Sequence, residues 1–104
     1  MTPNEYQELA IRTVVDLGDN AFRGHLLNGS IGMSVESNET LQHVQKYIFC
    51  GKNLDRAHLL DECGDVLWYI SYVLSTLGYT LEECMEHNIL KTSDRYSDRI
   101  NKEG

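Results

Sequence analysis

The sequence predicts an all-α fold, a four-helix bundle formed by a single domain of 104 residues. Apolar residues recur at spacings of three and four along several segments, which is typical of one face of a helix. Most of these segments lie between helix-capping residues and a glycine. No segment keeps the strict alternation of a strand, and the one proline is at position 3. We therefore expect a helical core over about residues 4–96 and a polar tail over residues 97–104.

The first helix is predicted to begin at Thr2, which can cap it with its side chain. Pro3 then takes the first helical position, and Glu5 is placed to complete a capping box. Termination signals begin at Gly18, so this helix should run to about Leu17.

The sequence predicts the end of the second helix clearly but not the residue at which it begins. Glycines make residues 21–33 irregular, so the start is expected only somewhere between His25 and Ser34. Gly51 is a natural C-terminal stop. The apolar stripe of this helix is predicted to contain Met33, Leu41, Val44 and Ile48.

The third helix is the strongest periodic segment, with Asp55 as N-cap and Gly78 as stop. Its predicted apolar stripe is formed by Leu59, Cys63, Val66, Leu67, Ile70, Val73, Leu74 and Leu77. A fourth helix should begin after Thr80, with Glu83 as capping-box partner, and extend toward Tyr96.

Composition narrows the classes of partner. A net charge of −7 gives no basic surface for nucleic acid or for an anionic membrane. No segment approaches the ~20 apolar residues of a membrane span, and the N-terminus shows no targeting pattern, so a cytoplasmic location is expected. Cys50, Cys63 and Cys84 form no C-x-x-C pair, which predicts free thiols that fill the core.

Acidic residues inside the third helix point to chemistry. Glu62 and Asp65 share a face with His58, Tyr69 and Tyr72, within a strongly apolar and aromatic segment. Acids in such surroundings usually need a cation or a hydrogen-bonding partner, because desolvating an unpaired charge is costly. A solvated helix face remains the alternative explanation.

The second helix repeats this spacing with Glu36 and Glu39, so two facing helices would bring four carboxylates to one place. Oxygen ligands in that number suit Mg²⁺ or Mn²⁺. The same spacing occurs in the first turns of two other helices, where the helix dipole and capping favour acids: at Glu5 with Glu8, and at Glu83 with Glu86. Only Glu62 and Asp65 lie well inside a helix, and no histidine spacing predicts a zinc site.

The ordered pair of motifs, Glu36-x-x-Glu39 and then Glu62-x-x-Asp65, resembles that of the MazG-like nucleotide pyrophosphohydrolases, an all-α superfamily. The segments NEYQELAIRT, YIFCGKNLDRAHL and EHNILKTSDRY are also similar to the opening helix, central loop and closing segment of that family, so the likeness covers most of residues 4–96. The chain departs from the family at SVESNE, where it lacks an extra acidic residue that some members carry.

The resemblance implies Mg²⁺-dependent hydrolysis of a nucleoside triphosphate, often a deoxynucleotide or a noncanonical one, to the monophosphate and pyrophosphate. It implies that Glu36, Glu39, Glu62 and Asp65 bind the metal, and that Glu36 or Glu39 also helps to deprotonate water. The substrate contacts that it implies are Lys46, Tyr69, Asn88, Lys91, Arg95 and Tyr96. Together with the small size of the domain, it implies a homodimer or homotetramer.

Three other interpretations were weighed. A ferritin-like di-iron bundle would need Glu-x-x-His pairs, which the sequence lacks. A non-catalytic helical interaction module with solvated acidic faces remains open, as does a nucleotide-binding protein without turnover. Among single residues, the helix dipole alone would favour Lys91 and Arg95, and Trp68 is expected in the core or at a subunit interface.

Overall fold

The computed structural model describes residues 1–103, and the side chains of residues 1–101. It contains α1 (Pro3–Ile11), α2 (Phe22–Phe49), α3 (Arg56–Leu77), α4 (Leu81–Arg95) and α5 (Ser97–Glu103). There is no strand in this part of the chain, so the all-α prediction with four main helices is confirmed. Much of the predicted polar tail forms α5, and its last residue, Gly104, lies outside the described residues.

The predicted helix caps are confirmed. Thr2 and Thr80 each accept a hydrogen bond from the backbone three residues on, and each completes a capping box with a glutamate. The side chain of Asp55 accepts from the His58 backbone N–H at 3.0 Å. Gly78 ends α3 with a φ of 82°, a left-handed conformation that glycine adopts without strain.

The first helix ends at Ile11, so the prediction that it extends to about Leu17 is wrong. The Ala10 carbonyl accepts a turn hydrogen bond from the Thr13 backbone N–H at 3.2 Å and is also bound by two side chains. The Thr13 hydroxyl donates to it at 2.8 Å, and the Trp68 indole N–H donates to it at 3.1 Å. A tight turn at Thr13 and a tertiary contact with α3 thus take the place of the next helical turn.

The second helix begins at Phe22, before the predicted range, because its glycines serve helix packing. Gly29 and Gly32 are buried against α3. A Cβ atom on Gly32 would lie 2.1 Å from the Tyr69 ring, and one on Gly29 would lie 2.7 Å from the Val73 side chain. The absence of these two side chains lets α2 and α3 approach closely.

The helices form an open arrangement rather than a closed bundle within one chain. Helix α2 packs along α3, α1 packs against α3 and α4, and no contact joins α2 to α4 within residues 1–103. The radius of gyration is 16.9 Å, whereas a compact domain of this length has one of about 13 Å.

The buried side chain of Gln7 joins α1 to the turn between α3 and α4. Its amide N–H group donates to the Ser75 hydroxyl at 2.9 Å and to the Tyr79 carbonyl at 3.0 Å. Its carbonyl oxygen accepts from the Leu81 backbone N–H at 2.7 Å. These bonds satisfy the buried amide and fix where α4 begins.

The cysteines are not core residues, so that prediction is wrong. Cys50, Cys63 and Cys84 are exposed and, within the described part of the chain, free. Cys63 lies on the apolar stripe of α3, and its exposure means that the chain itself does not cover this stripe fully. As for membranes, none of the helices in residues 1–103 has the length and apolar character needed to cross one.

Candidate metal centre and adjoining groove

Three carboxylates from two helices converge where α2 crosses α3. One oxygen each from Glu36, Glu62 and Asp65 lies within 4.8 Å of the others. Glu62 and Asp65 share a face of α3 because residues three apart on a helix point the same way. Glu36 reaches them because Gly32, one turn earlier on α2, lets the two helices approach closely.

Two oxygens of this cluster lack the partner that burial requires. Glu36 Oε2 and Glu62 Oε2 are buried and find no hydrogen-bond partner among the described residues. The other oxygen of Glu62 lies 3.4 Å from His58 Nε2. Because an unpartnered buried carboxylate oxygen is costly, the arrangement calls for a proton or a cation between the two acids.

The electrostatics of the cluster act mainly on Glu36. The adjacent Glu62 carboxyl, with which a protonated Glu36 can form a hydrogen bond, raises the pKa of Glu36 to about 7, and burial and the negative charges of Glu39, Asp65 and Glu62 add to the effect. Below about pH 7 a proton on Glu36 therefore offsets part of the charge of the cluster, and a metal ion would compete with that proton.

Glu39 lies at the edge of the cluster. It is exposed and does not belong to the set of converging oxygens. Its charge nevertheless contributes to the raised pKa of Glu36, which places it close by. The structure thus brings together three of the four predicted metal ligands and puts the fourth beside them.

An open groove of about 390 Å³ begins at Glu36 and runs between α2 and α3. Its volume lies within the usual range for small-molecule sites. Trp68 and Tyr69 supply aromatic wall, and Thr13 and Asn28 supply polar groups. One end of the groove is therefore acidic, and the remainder is aromatic with hydrogen-bonding groups.

Tyr69, a predicted substrate contact, lies in this groove. Its ring packs across Gly32 and makes an edge contact with Trp68, with ring centroids 4.9 Å apart. The residue is half-buried and lines the groove next to Glu36.

The other predicted substrate contacts do not line this groove. Lys46 is exposed on α2, about 15 Å further along the helix axis than Glu36. The remaining four are exposed and lie on α4 or at its C-cap: Asn88, Lys91, Arg95 and Tyr96. The Arg95 guanidinium lies 5.9 Å from the centre of the Tyr96 ring.

Sequence reasoning did not identify several residues of the groove. Trp68, expected in the core or at a subunit interface, is half-buried and forms part of the groove wall, and its indole N–H donates to Thr13 Oγ1 at 3.0 Å. Asn28 lies in the glycine-containing segment whose irregular pattern concealed a helix. Burial raises the pKa of Tyr6, and the charge of Asp65 raises it further, so this tyrosine lies near the acids as well.

Comparison with known proteins adds no relative: no protein-family model matches the chain, and neither a curated protein nor a solved structure is significantly similar to it.

Proposed function

We propose that this chain is a Mg²⁺- or Mn²⁺-dependent nucleoside triphosphate pyrophosphohydrolase with a MazG-like fold. Its substrate would be a deoxynucleoside triphosphate or a noncanonical nucleotide, and its products the monophosphate and pyrophosphate. The observation that carries the proposal is the convergence of Glu36, Glu62 and Asp65, with two buried unpartnered oxygens, at the mouth of an aromatic groove.

The donor set fits a hard divalent cation. Glu36, Glu62 and Asp65 would hold the ion through carboxylate oxygens, the ligand type that Mg²⁺ and Mn²⁺ prefer. When bound, such an ion supplies Lewis acidity and offsets the negative charge of the polyphosphate. No cysteine or histidine belongs to the cluster of converging ligand atoms found in the described residues, which argues against a zinc site.

The groove suits the nucleoside part of the substrate. A base is planar and stacks on aromatic faces, which Trp68 and Tyr69 offer. Base edges need hydrogen-bonding groups, and Asn28 and Thr13 line the same groove. Because the groove begins at Glu36, a nucleoside held there would direct its phosphates toward the carboxylates.

Glu39 is the candidate general base. It is exposed and lies outside the converging set, so it remains free to accept a proton from water. Its proximity to Glu36 puts it within the negative field of the cluster.

The alternative is a non-catalytic helical module whose acids are simply solvated. Solvated carboxylates would direct their oxygens into water, whereas Glu36 and Glu62 each bury one without a partner among the described residues. This difference favours the enzyme. A nucleotide-binding protein without turnover shares the same site and is separated from the enzyme only by experiment.

The test measures pyrophosphate release from canonical and modified dNTPs, with and without Mg²⁺. We expect release that requires the metal and that Glu62→Gln lowers by about 100-fold or more. Glu8→Gln is the matched control, because it makes the same substitution in an exposed E-x-x-E pair on α1. Release that ignores both Mg²⁺ and Glu62→Gln would overturn the proposal, and nucleotide binding without release would favour the protein without turnover.

A further inference from the structure

His58 lies beside the acid cluster without contributing to the ligand atoms that converge there in the described part of the chain. It precedes Glu62 by one turn of α3, and residues four apart share a helix face. Its ring nitrogen Nε2 lies 3.4 Å from Glu62 Oε1. Any effect of this histidine on a bound ion would therefore act through Glu62.

The two oxygens of Glu62 have different surroundings. Oε1 lies next to the His58 ring, whereas Oε2 is buried and has no partner among the described residues. Contacts between two solvated side chains stabilise little. Here the side chain of Glu62 is only 9% exposed, against 47% for His58, so water screens the contact less. The contact at Oε1 leaves Oε2 as the oxygen that is available to a cation.

The ring of His58 packs against His43 of α2. The two ring centroids are 5.0 Å apart, and the ring planes are tilted by 43°. His43 is held in turn by Asp55, whose backbone N–H donates to His43 Nε2 at 3.2 Å. The side chain of Asp55 also caps α3 by accepting from the His58 backbone N–H. Both the backbone and the ring of His58 are therefore tied to neighbouring residues.

These contacts predict which ring nitrogens carry protons. A neutral imidazole has one N–H group and one nitrogen that can only accept. His43 Nε2 accepts a hydrogen bond, so the proton of a neutral His43 is on Nδ1. His58 Nε2 lies next to a carboxylate oxygen, and an ionised carboxylate can only accept, so we expect the proton of a neutral His58 on Nε2. His58 is then the donor and Glu62 the acceptor.

A donor at one oxygen fixes the orientation of a carboxylate. Ordering a free glutamate side chain costs conformational entropy, which a bound ion would otherwise have to offset. Partners that hold ligating carboxylates typically contribute 10–100-fold to metal affinity. The distance of 3.4 Å is slightly longer than an ordinary N–H···O hydrogen bond. Hydrogen bonds in active sites are often long before the ligand binds and shorten when it does.

We propose that His58 positions Glu62 for metal binding by donating from Nε2 to Oε1, and that His43 holds the His58 ring in place. This inference rests on the proposed metal centre and adds to it a residue outside the carboxylates. It gives His58 no contact with the ion or the substrate, so His58 is a positioning residue rather than a catalytic one.

The first test measures the Mn²⁺ affinity of three variants. We expect His58→Leu to weaken binding about 10-fold or more. His58→Gln should restore most of the affinity, because its amide can donate to Glu62 as the imidazole does. The matched control is His87→Leu, which removes an exposed histidine from α4 and should leave the affinity unchanged.

The outcomes separate this inference from the metal centre itself. If the wild-type chain and His58→Leu bind Mn²⁺ equally, the inference is overturned and the metal centre stands. An equal loss in His58→Gln and His58→Leu would overturn donation to Glu62 as the cause. A wild-type chain that does not bind Mn²⁺ would overturn the metal centre and this inference together.

A second measurement uses the wild-type chain, so it does not depend on whether a variant folds. Proton–nitrogen correlation NMR of the imidazole rings at pH 8, where such rings are generally neutral, distinguishes the two N–H forms. In the presence of Mg²⁺ we expect His58 to carry its proton on Nε2 and His43 to carry it on Nδ1. A His58 with its proton on Nδ1 could not donate to Glu62 and would overturn the inference.

Discussion

In an ordinary amphipathic helix pair the acids face water and the apolar side chains are buried. The two sides of the α2–α3 pair show the reverse. On the groove side, Glu62 is buried, with one oxygen lacking a partner among the described residues. On the side of the pair away from the groove, Ile48 of α2 and Leu77 of α3 are apolar and exposed. Buried acid and exposed hydrocarbon are both unfavourable in an isolated chain. The proposed cation would remove the first of these costs, whereas the second remains in the single chain.

Both sides of the pair depend on the close approach of α2 and α3. A single added methyl group should disrupt this approach. Gly32→Ala places a Cβ atom 2.1 Å from the Tyr69 ring, so we expect a loss of about 3 kcal/mol in the free energy of unfolding. Gly64→Ala is the control, since no atom lies within 4 Å of its Cβ position, and better helix propensity should there give a gain of about 0.5–1 kcal/mol. Denaturant unfolding of both variants checks this, and equal effects at the two glycines would contradict the packing.

The stability that the groove side contributes should depend on both pH and metal concentration. Glu36 has a pKa raised from its ordinary 4.5 to about 7, so the folded chain holds this proton more tightly than the unfolded chain. Its contribution to stability is therefore complete below about pH 4.5 and is lost as pH rises through about 7. Adding Mg²⁺ at about thirty times its Kd should stabilise the protein by about 2 kcal/mol at pH 8, and by less at pH 5.5, where protons compete.

Thermal unfolding at several pH values, with Mg²⁺ and with EDTA, measures this effect. Glu36→Gln removes the titrating group and should reduce the difference in thermal stability between the Mg²⁺ and EDTA samples. If the thermal stability of the wild-type chain has the same pH dependence in Mg²⁺ and in EDTA, no ion binds to this cluster of carboxylates.

A smaller loss of stability is expected from a substitution at the contact between α1 and the groove side of α3. Trp68→Phe keeps an aromatic ring but removes an N–H that donates to the Ala10 carbonyl at 3.1 Å and to Thr13 Oγ1 at 3.0 Å. We expect a loss of about 1 kcal/mol in the free energy of unfolding. Denaturant unfolding followed by circular dichroism checks it, since Trp68 is the only tryptophan. An unchanged stability would mean that these bonds do not hold α1 in place.

Local signals in the sequence predicted most helix boundaries. The caps at Thr2, Asp55 and Thr80 depend on atoms within three residues along the chain, so the sequence alone contains the whole interaction. The end of α1 involves Thr13, which is local, and also a bond from Trp68, which is distant in sequence, so residues 12–17 contain only part of the interaction. Gly32 was misinterpreted for the same reason, because Tyr69 on α3 decides its role.

The residues of the candidate site also fall into those that the sequence signalled and those that only the packing reveals. Glu62 and Asp65 stood out because they lie inside a helix, where neither capping nor the dipole explains an acid. The periodicity of α2 pointed to Glu36 and Glu39 equally, and only the packing against α3 distinguishes the converging residue from the bordering one. Asn28 gave no signal, since its role follows from the shape of the groove.

The most direct test of the account is Mn²⁺ binding followed by electron paramagnetic resonance, comparing the wild-type chain with Glu62→Gln and Glu8→Gln. We expect the wild-type chain and Glu8→Gln to bind the ion alike, and Glu62→Gln to bind it at least about tenfold more weakly. Equal Mn²⁺ affinity in the wild-type chain and Glu62→Gln would contradict a metal centre formed by the carboxylates at the crossing of α2 and α3.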